Sequence, residues 1–374
     1  MHYTLHLTNN CNMACKYCYV DRKNISVMDF DTAKKAVDMA AASAKESVGI
    51  VFFGGEPLLH KQLIYDVVEY CKWKGKNSDI SFHFKVTTNG LLLDETFMDF
   101  SAANNLFIAL SHDGIRKAHD KNRIDMHDCG TFEKLSEKIR LLLSRHPYAP
   151  VLMTVNPNTA GHYAESVEYL YEQGFRYIIC SINYAGKWNE HGMEALKRQY
   201  RKLSNFYMAK TLKEEKFYLS PFEVKISKET YCTERCELGN KQISVAPDGG
   251  LFPCVQFVGD EQYCIGNVDT GIDEKKRRTI FEANEKEKES CGTCAIRKRC
   301  NHFCGCLNKQ ATGSIEKVSP VLCMHEKILL PIADRLAEKL YKKRNALFIQ
   351  KHYNDMFPII SLIEDKTHGR QQHA

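Results

Sequence analysis

Short apolar strands alternate with amphipathic helices over roughly the first 215 residues, which restricts the chain to few folds. The runs interpreted as strands lie near Thr4–Leu7, Ile50–Phe53, Phe82–Thr87, Phe107–Ser111, Val151–Val155 and Tyr177–Ser181. Segments with a helical period lie between them, as at Asp31–Ala44, Leu63–Trp73, Phe132–Leu143 and His162–Gln173. This alternation is typical of a parallel sheet with crossover helices, and six strand-helix units are predicted.

The pattern changes after Tyr207. A stretch rich in cysteine and glycine extends from Tyr231 to about Cys323 and indicates a second domain stabilised by metal. Helical periodicity then returns at Ile328–Leu340 and Ala346–Tyr353. We therefore divide the chain into residues 1–215, 216–330 and 331–374.

The chain has 16 cysteines in 374 residues, and no basic stretch followed by an apolar export signal. We expect a cytoplasmic protein whose cysteines bind metal, because eight disulfides would require an exported chain. The net charge of +6 is too small to indicate a nucleic-acid partner. No apolar run approaches the ~20 residues needed to cross a membrane.

Three cysteines, Cys11, Cys15 and Cys18, lie on one short loop just after the first predicted strand. Such a set can hold three corners of a cubane iron-sulfur cluster, which normally takes four thiolates, so one iron remains free for another ligand. An open metal position is typical of a catalytic site. A zinc knuckle or a chance cluster is the alternative.

The spacing Cys-x3-Cys-x2-Cys, with Tyr17 just before the last cysteine, resembles the radical S-adenosylmethionine (SAM) superfamily. The resemblance implies a partial (β/α)6 barrel in which these cysteines bind a 4Fe-4S cluster and Tyr17 lies against the cofactor. It also implies that the amino and carboxylate groups of SAM chelate the free iron. An electron from the cluster would then cleave SAM to a 5′-deoxyadenosyl radical.

Gly54-Gly55-Glu56-Pro57 directly follows the second predicted strand. Two glycines allow a ligand to approach the backbone closely, and Glu56 can accept a hydrogen bond from an ammonium group. Alone, this run is compatible with an ordinary turn. Beside the three-cysteine loop, it matches the superfamily's motif for the amino group of SAM.

Ser111, at the end of the fourth strand, and Arg123 resemble a SAM-binding pair of related peptide-modifying enzymes. The hydroxyl can bond the ribose or carboxylate, and the guanidinium can grip the carboxylate in bidentate fashion. A strand-end serine and a surface arginine are the alternative. Asn89, after the third strand, is expected to line the same face, because barrel sites gather at the carboxyl ends of strands. A simple turn is its alternative.

A second group of cysteines, spaced Cys-x12-Gly-x4-Cys and then Cys-x2-Cys-x5-Cys-x3-Cys with a later cysteine, resembles the SPASM domain. The full fold class is then α/β: a partial (β/α)6 radical SAM barrel, a small cysteine-rich α+β SPASM domain and a C-terminal helical tail. The resemblance implies two auxiliary 4Fe-4S clusters with interleaved ligands, three clusters in all. The nearer set is Cys232, Cys236, Cys254 and Cys304, and the distal set is Cys291, Cys294, Cys300 and Cys323. A pair of zinc sites is the alternative.

Cys232 is the least certain of these ligands, because related enzymes often have a wider gap before the next cysteine. Without it, the nearer cluster would have an open iron able to bind a substrate thiolate. Five cysteines remain unassigned: Cys71, Cys129, Cys180, Cys264 and Cys306. We expect Cys71 and Cys180 to be buried apolar residues, whereas Cys264 and Cys306 are candidates for spare ligands.

Enzymes with this pair of domains include anaerobic sulfatase-maturing enzymes, which make formylglycine, and enzymes that cross-link ribosomally made peptides. In the sulfatase-maturing group an aspartate typically follows the cysteine equivalent to Cys254 and acts as the base. Val255 stands there and cannot transfer a proton. The hypothesis is therefore a peptide maturase that installs a cross-link, most simply a cysteine thioether, in a precursor peptide.

The expected partners are the precursor peptide, a reductant such as flavodoxin or ferredoxin, and a separate leader-binding protein. The last follows because the sequence opens directly on the first barrel strand. Asp248, Asp260 and Glu237 are candidate proton acceptors, each with a plain turn or surface interpretation. Alternatives of another class are an iron-sulfur electron carrier without catalysis and a zinc-stabilised interaction module.

Overall fold

The computed structural model describes residues 1–21, 25–226 and 236–357. The elements before the first long gap are β1 (His2–Thr8), α1 (Phe30–Ser43), β2 (Ser47–Gly54), α2 (Lys61–Lys76), β3 (Ser81–Thr88), α3 (Glu95–Ala103), β4 (Leu106–Ser111), α4 (Arg116–Asn122), α5 (Phe132–Arg145), β5 (Pro150–Val155), α6 (Tyr163–Glu172), β6 (Tyr177–Ile182), α7 (Glu190–Leu212), β7 (Tyr218–Leu219) and α8 (Ser220–Ile226). The later elements are β8 (Gln242–Val245), β9 (Leu251–Phe252), β10 (Gly266–Asn267), β11 (Gly271–Ile272), α9 (Glu274–Glu285), α10 (Gly305–Thr312), α11 (Pro320–Lys342) and α12 (Ala346–Tyr353).

One large sheet organises the described residues, with strand order β7-β6-β5-β4-β3-β2-β1-β8-β9. Every neighbouring pair from β7 to β8 is parallel, and only β9 runs antiparallel to its neighbour. The parallel strands are joined by helices, as the alternation of the sequence predicts. The predicted α/β fold class is confirmed.

All six predicted strands are present, and each is at most three residues longer at either end than predicted. The four predicted helices of the first part are also present. The sequence analysis missed α3, α4 and the long α7, and β7 continues the pattern beyond Tyr207. α4 was missed because its buried residues include His119 and Asn122, so it lacks an apolar period.

The C-terminal helices were predicted more closely. α12 has the predicted bounds, whereas α11 begins eight residues earlier than predicted, at Pro320. Ser319 caps this helix by accepting a hydrogen bond from the backbone of Leu322 at 3.3 Å, and proline is favoured in the first turn. Cysteine, histidine and glutamate in the first two turns obscured the apolar period there.

β8 joins the edge of the barrel sheet rather than a separate one. Its residues pair in parallel with β1, as Tyr3 with Ile243 and Leu5 with Val245. The cysteine-rich part of the chain is therefore hydrogen-bonded to the strand that leads into the three-cysteine loop. The limits at residues 215 and 330 remain a prediction.

The sheet has two unlike faces. The face toward the helices is apolar and fully buried, as at Leu5, Phe52 and Val86. On the opposite face, which we call the inner face, the register places Lys85 beside Phe107, and Ser111 follows Phe107 by four residues on the same strand. The carboxyl ends of the strands therefore present polar side chains beside the three-cysteine loop.

None of the helices in the described ranges is both long and apolar enough to span a bilayer.

Candidate active site

The three-cysteine loop follows β1 and is held against the segment after α4. The backbone N–H of Ala14 donates to the carbonyl of Ile124 at 2.8 Å, and that of Lys16 donates to the carbonyl of Asn122 at 2.9 Å. Within the loop, the N–H of Cys18 donates to the carbonyl of Cys15 at 3.1 Å. The loop therefore has a defined shape set by backbone hydrogen bonds.

Donors surround the sulfur of Cys11. The backbone N–H of Met13 lies 3.4 Å from Sγ, and the Asn89 side-chain amide lies 3.7 Å from it. The same amide donates to Asn12 Oδ1 at 2.7 Å. Such donors stabilise a thiolate, which is the form that binds iron. Asn89 was predicted to line this face, and the structure places it there, in contact with the first predicted ligand.

The donor set fits an iron-sulfur cluster. No three His, Cys, Asp or Glu side chains in the described ranges converge closely enough to hold a single metal ion. Thiolates of a cluster each bind a different iron, so they surround it without converging. The described cysteines are all free thiols, without a disulfide among them.

The loop backbone crosses directly over Gly54 and Gly55. A Cβ on Gly54, which has φ of 129°, would lie 2.3 Å from the carbonyl oxygen of Thr8. A Cβ on Gly55 would lie 2.1 Å from the carbonyl oxygen of Asn10. The sequence analysis explained these glycines by the approach of a ligand. In the structure, the main chain that approaches them is the cysteine loop itself.

Glu56 is fully buried and bonded within the protein. Its Oε1 accepts from the N–H of Leu58 at 3.0 Å and from the hydroxyl of Thr88 at 2.7 Å, and Oε2 accepts from the N–H of Asn89 at 2.8 Å. Burial raises the pKa of Glu56 to about 7, although these hydrogen bonds favour the carboxylate. Glu56 thus joins the ends of β2 and β3 and holds Asn89 in place.

Asp113 connects two of the predicted cofactor residues. Its Oδ2 accepts from the Tyr17 hydroxyl at 2.7 Å, and its Oδ1 lies 3.1 Å from Nε of Arg123. Oδ1 also accepts from the N–H of Thr154 at 3.0 Å. Burial alone would lower the pKa of Arg123, but the charge of Asp113 beside it raises the pKa above its usual value. The sequence analysis missed Asp113, although it lies two residues after Ser111.

Arg123 of the predicted pair is not the surface arginine of the alternative interpretation. Arg123 is buried and 7% exposed, with its guanidinium 5.5 Å from the centre of the Tyr17 ring. Ser111 is half-buried at the end of β4 and, among the described residues, makes no side-chain hydrogen bond. Its hydroxyl is therefore open to a ligand on the inner face.

Two neutral histidines lie behind this site. The His112 and His119 rings are 4.2 Å apart, and Nδ1 of His119 accepts from the N–H of Asp113 at 3.3 Å. Burial lowers the pKa of His112 to about 3, so the ring is uncharged. These rings fix the turn that carries Asp113. In the sequence, the only indication of a role for His112 and His119 is that they lie on either side of Asp113.

The distal set of cysteines comes together as the resemblance implied. Cys291, Cys294, Cys300 and Cys323 all line one cavity of about 560 Å³, together with His302. Burial raises the pKa of Cys300 to about 12 in the absence of metal. Four thiols around one cavity fit a cluster with four protein ligands.

Three members of the nearer set, Cys236, Cys254 and Cys304, lie close together in a second group, which we call the second cysteine pocket. The pKa of Cys236 is raised to about 12. Burial is the largest cause, and the charges of its neighbours Cys304 and Cys254 are the next. Cys304 lies 3.3 Å from the sulfur of Cys306, which the ligand sets did not include. Cys232 lies outside the described residues.

Tyr19 directly follows Cys18 and is close enough to Cys254 and Cys306 for their charges to act on it. Its side chain is 43% exposed. The pKa of Tyr19 is raised, mainly by burial and secondly by the charges of Cys254, Cys18 and Cys306. Cysteines of both groups therefore lie near this one tyrosine.

A comparison with protein families decides the identity of this arrangement. Residues 5–199 match the model of the radical SAM superfamily, which is more than half of the chain. The chain belongs to the radical SAM superfamily. It is therefore an enzyme of that superfamily, and the resemblance drawn from Cys11, Cys15 and Cys18 is confirmed.

Curated radical SAM relatives include two named "Cysteine-type anaerobic sulfatase-maturating enzyme". The relative from Clostridium novyi is 28% identical over 179 residues, which are 46% of this chain and 48% of the relative. The relative from Clostridium perfringens is 23% identical over 342 residues, which are 83% of this chain and 90% of the relative. The match thus spans about half of the first relative and most of the second.

Solved structures share the radical SAM fold. "Native anSMEcpe with bound AdoMet and Cp18Cys peptide" superposes with a TM-score of 0.79 at 21% identity, over 91% of this chain and 99% of that one. "Crystal structure of Streptococcus suis SuiB bound to precursor peptide SuiA" superposes with a TM-score of 0.61 at 14% identity, over 86% and 75%. At these identities the likeness establishes the fold.

Proposed function

We propose that this radical SAM enzyme is a peptide maturase that forms a thioether between a cysteine and a carbon atom of a precursor peptide. The observation that carries the proposal is a second group of cysteines near the first loop, in which the sulfurs of Cys304 and Cys306 lie 3.3 Å apart and the charge of Cys254 reaches Tyr19, the residue after Cys18. A second redox site so close to the first is useful when the reaction leaves a surplus electron. The electron-carrier alternative is set aside, because the chain belongs to an enzyme superfamily.

Cys11, Cys15 and Cys18 would hold the 4Fe-4S cluster to which SAM binds. When bound, a reduced cluster supplies the electron that splits SAM into methionine and a 5′-deoxyadenosyl radical. On the protein side, the hydroxyl of Ser111 makes no hydrogen bond to any residue in the described ranges. Arg123 supplies a positive charge that Asp113 holds in position. These groups suit the ribose and carboxylate of SAM, as predicted.

The cross-linking step balances as a two-electron oxidation of the peptide. A carbon of the peptide loses a hydrogen atom to the adenosyl radical, giving 5′-deoxyadenosine. The cysteine thiol loses its proton, and its sulfur forms a bond to the carbon radical. One electron is then surplus, and we assign the auxiliary clusters of a SPASM-type domain as its acceptor. In the cytoplasm, flavodoxin or ferredoxin would supply the first electron, and a separate protein would capture the leader.

Formylglycine formation is the second candidate, and similarity over most of the chain to a sulfatase-maturating enzyme favours it. The acids near the pocket argue against it. Val255 follows Cys254, and Asp260 is paired with Lys309 while it accepts from the N–H of Gln262 at 3.1 Å. A base that is already paired is a poor proton acceptor.

The other two candidate acids are also engaged in local structure. Asp248 accepts from the N–H of Gly250 at 3.0 Å in a turn, and Glu237 pairs with Lys241 at 2.9 Å. No candidate acid from the sequence is therefore both free and next to Cys254. This supports the cross-linking proposal over formylglycine formation.

The test uses anaerobically reconstituted enzyme, dithionite and SAM with two kinds of peptide. One is a cysteine-containing peptide encoded beside the gene, and the other is a peptide with a sulfatase active-site cysteine. We expect the first to lose two hydrogens per cross-link. Exchange of sulfur for oxygen with loss of two hydrogens in the second peptide would instead establish formylglycine formation. Unchanged masses of both, while 5′-deoxyadenosine accumulates, would overturn both candidates.

A further inference from the structure

The pocket of the nearer auxiliary site contains one more cysteine than the resemblance assigns. Cys236, Cys254 and Cys304 are the assigned residues within the described ranges. Cys306 lies beside them: its sulfur is 3.3 Å from that of Cys304, and Cys254 is close enough to affect its pKa. Four cysteines of the described chain therefore share this pocket.

The start of α10 presents two of these sulfurs. Cys304 is the N-cap of the helix, and Cys306 is its second residue. The backbone N–H groups of the first turn of α10 lie next to these two residues. Free N–H groups at a helix N-terminus stabilise negative charge, so this turn favours thiolates.

The other unassigned cysteines face elsewhere. Cys264 donates its thiol to the carbonyl of Gly266 at 3.2 Å, and Cys129 donates to the carbonyl of His127 at 3.5 Å. Cys71 is fully buried in the apolar core. Cys180 faces the helices, where it contacts Tyr163. Of these five cysteines, Cys306 is the one that meets another sulfur.

We propose that Cys306, with Cys236, Cys254 and Cys304, ligates the nearer auxiliary 4Fe-4S cluster in place of Cys232. The inference rests on the proposed function, which includes this cluster. Insertion of the cluster separates the sulfurs of Cys304 and Cys306, because each binds a different iron.

This ligand set changes the role of the site. With four protein thiolates, every iron of the nearer cluster is occupied, and the cysteine of the peptide has no iron to bind. The cluster then serves as an electron acceptor, and the peptide thiol reacts without metal coordination. An open iron, which the sequence analysis considered for the case that Cys232 does not ligate, is not required.

The experiment compares C306A, C232A and C264A in the full chain after anaerobic reconstitution. Iron and sulfide per chain and the EPR spectrum of the reduced protein are the measurements. A chain with three clusters holds about twelve irons. We expect C306A to change the EPR signal of one auxiliary cluster, with loss of up to about four irons. C232A and the matched control C264A should keep the parent content and spectrum.

The C306S variant tests whether an effect of C306A is only a failure to fold. Serine can supply an oxygen ligand, so this variant should retain more iron than C306A but with a shifted EPR signal and a lower midpoint potential. In C306A, added 2-mercaptoethanol should perturb the remaining signal, because an iron is then open. It should leave the parent unchanged.

The proposal is overturned if C306A matches the parent in iron and spectrum, or if C232A departs from it. If the parent protein holds only about four irons per chain, it contains a single cluster. This result would remove the auxiliary clusters from the proposed function, and the assignment of Cys306 with them.

Discussion

The hydroxyl of Tyr17 donates a hydrogen bond to Oδ2 of Asp113 at 2.7 Å, across 96 residues of sequence. The other oxygen of the same carboxylate lies 3.1 Å from Nε of Arg123 and accepts from the N–H of Thr154 at 3.0 Å. One carboxylate therefore connects the cysteine loop, the segment after α4 and the end of β5. This arrangement holds Tyr17 and Arg123, two of the predicted SAM residues, in place relative to each other.

We expect Asp113→Ala to lower the free energy of unfolding by about 3–5 kcal/mol, because it leaves Arg123 as an unpaired buried charge. The measurement is urea unfolding of the reconstituted protein under anaerobic conditions. Tyr17→Phe removes one hydrogen bond and should cost only about 1 kcal/mol. The double variant D113A/R123M should recover part of the loss. Equal costs for D113A and Tyr17→Phe would contradict the role of the ion pair.

Gly55→Ala should displace the cysteine loop, since the new Cβ would lie 2.1 Å from the carbonyl oxygen of Asn10. Overpacking of this kind typically costs about 1–3 kcal/mol. The loop carries the ligands of the first cluster, so formation of 5′-deoxyadenosine should fall more than about tenfold, the factor given by 1.4 kcal/mol.

Gly161→Ala is the matched control for this change. A Cβ on Gly161 meets no atom within 4 Å, and its φ is not positive. This variant should keep the parent's iron content and its rate of SAM cleavage. If G55A behaves in the same way, close contact with the loop is not the reason for the glycine.

Glu56 should make the stability depend on pH. Burial raises its pKa from 4.5 to about 7, so the folded protein binds this proton more tightly than the unfolded chain does. The free energy of unfolding is then highest below pH 4.5 and falls as the pH rises through about 7, by up to about 3 kcal/mol. Glu56→Gln cannot titrate and lacks this decline.

Urea unfolding between about pH 5 and pH 8 checks this prediction. The stability difference between the parent and E56Q should shrink steadily as the pH rises. Glu95→Gln, at an exposed helix start, should leave the profile of the parent unchanged. A constant difference between the parent and E56Q would show that Glu56 stays charged when buried.

Lys225 and Glu326 form a buried ion pair, 2.8 Å apart, next to the distal cysteines. Lys225 also donates to the carbonyl of Arg299 at 3.1 Å, and Glu326 accepts from the N–H of Asn301 at 3.3 Å. We expect Lys225→Met to cost about 3–5 kcal/mol. It should also lower the iron content, because these contacts hold the backbone on both sides of Cys300.

The double variant K225M/E326L removes both charges and should recover stability and iron relative to K225M. Iron analysis and urea unfolding of the two variants side by side test this. If K225M/E326L loses as much stability and iron as K225M, altered packing rather than an unpaired charge explains the loss.

The sequence predicted the six barrel strands closely, because short apolar runs between turn residues have a clear local signal. Cys291, Cys294 and Cys300 of the distal set also have a local signal in their regular spacing, and the structure places them around one cavity. That they bind a cluster stays a prediction. Such features depend on nearby residues only. They can therefore be read without knowledge of the fold.

Other features required the structure. Asp113 and Arg123 are separated by a helix, and nothing in either residue's neighbours indicates that they pair. The contact between Cys304 and Cys306 depends on the direction in which α10 begins. The glycines at the end of β2 were placed correctly but explained incompletely, because the crossing of the Thr8–Asn10 backbone is a tertiary contact.

The parallel pairing of β8 with β1 links the two groups of cysteines through backbone hydrogen bonds and would set the separation of the proposed clusters. A hinge between two independent bodies would let that separation fluctuate, and with it the rate of electron tunnelling. Here the hydrogen bonds shared by β1 and β8 keep this separation constant. A slip of a single residue in the pairing of β8 with β1 would turn the inward side chains of β8 outward and so disrupt electron transfer between the two sites.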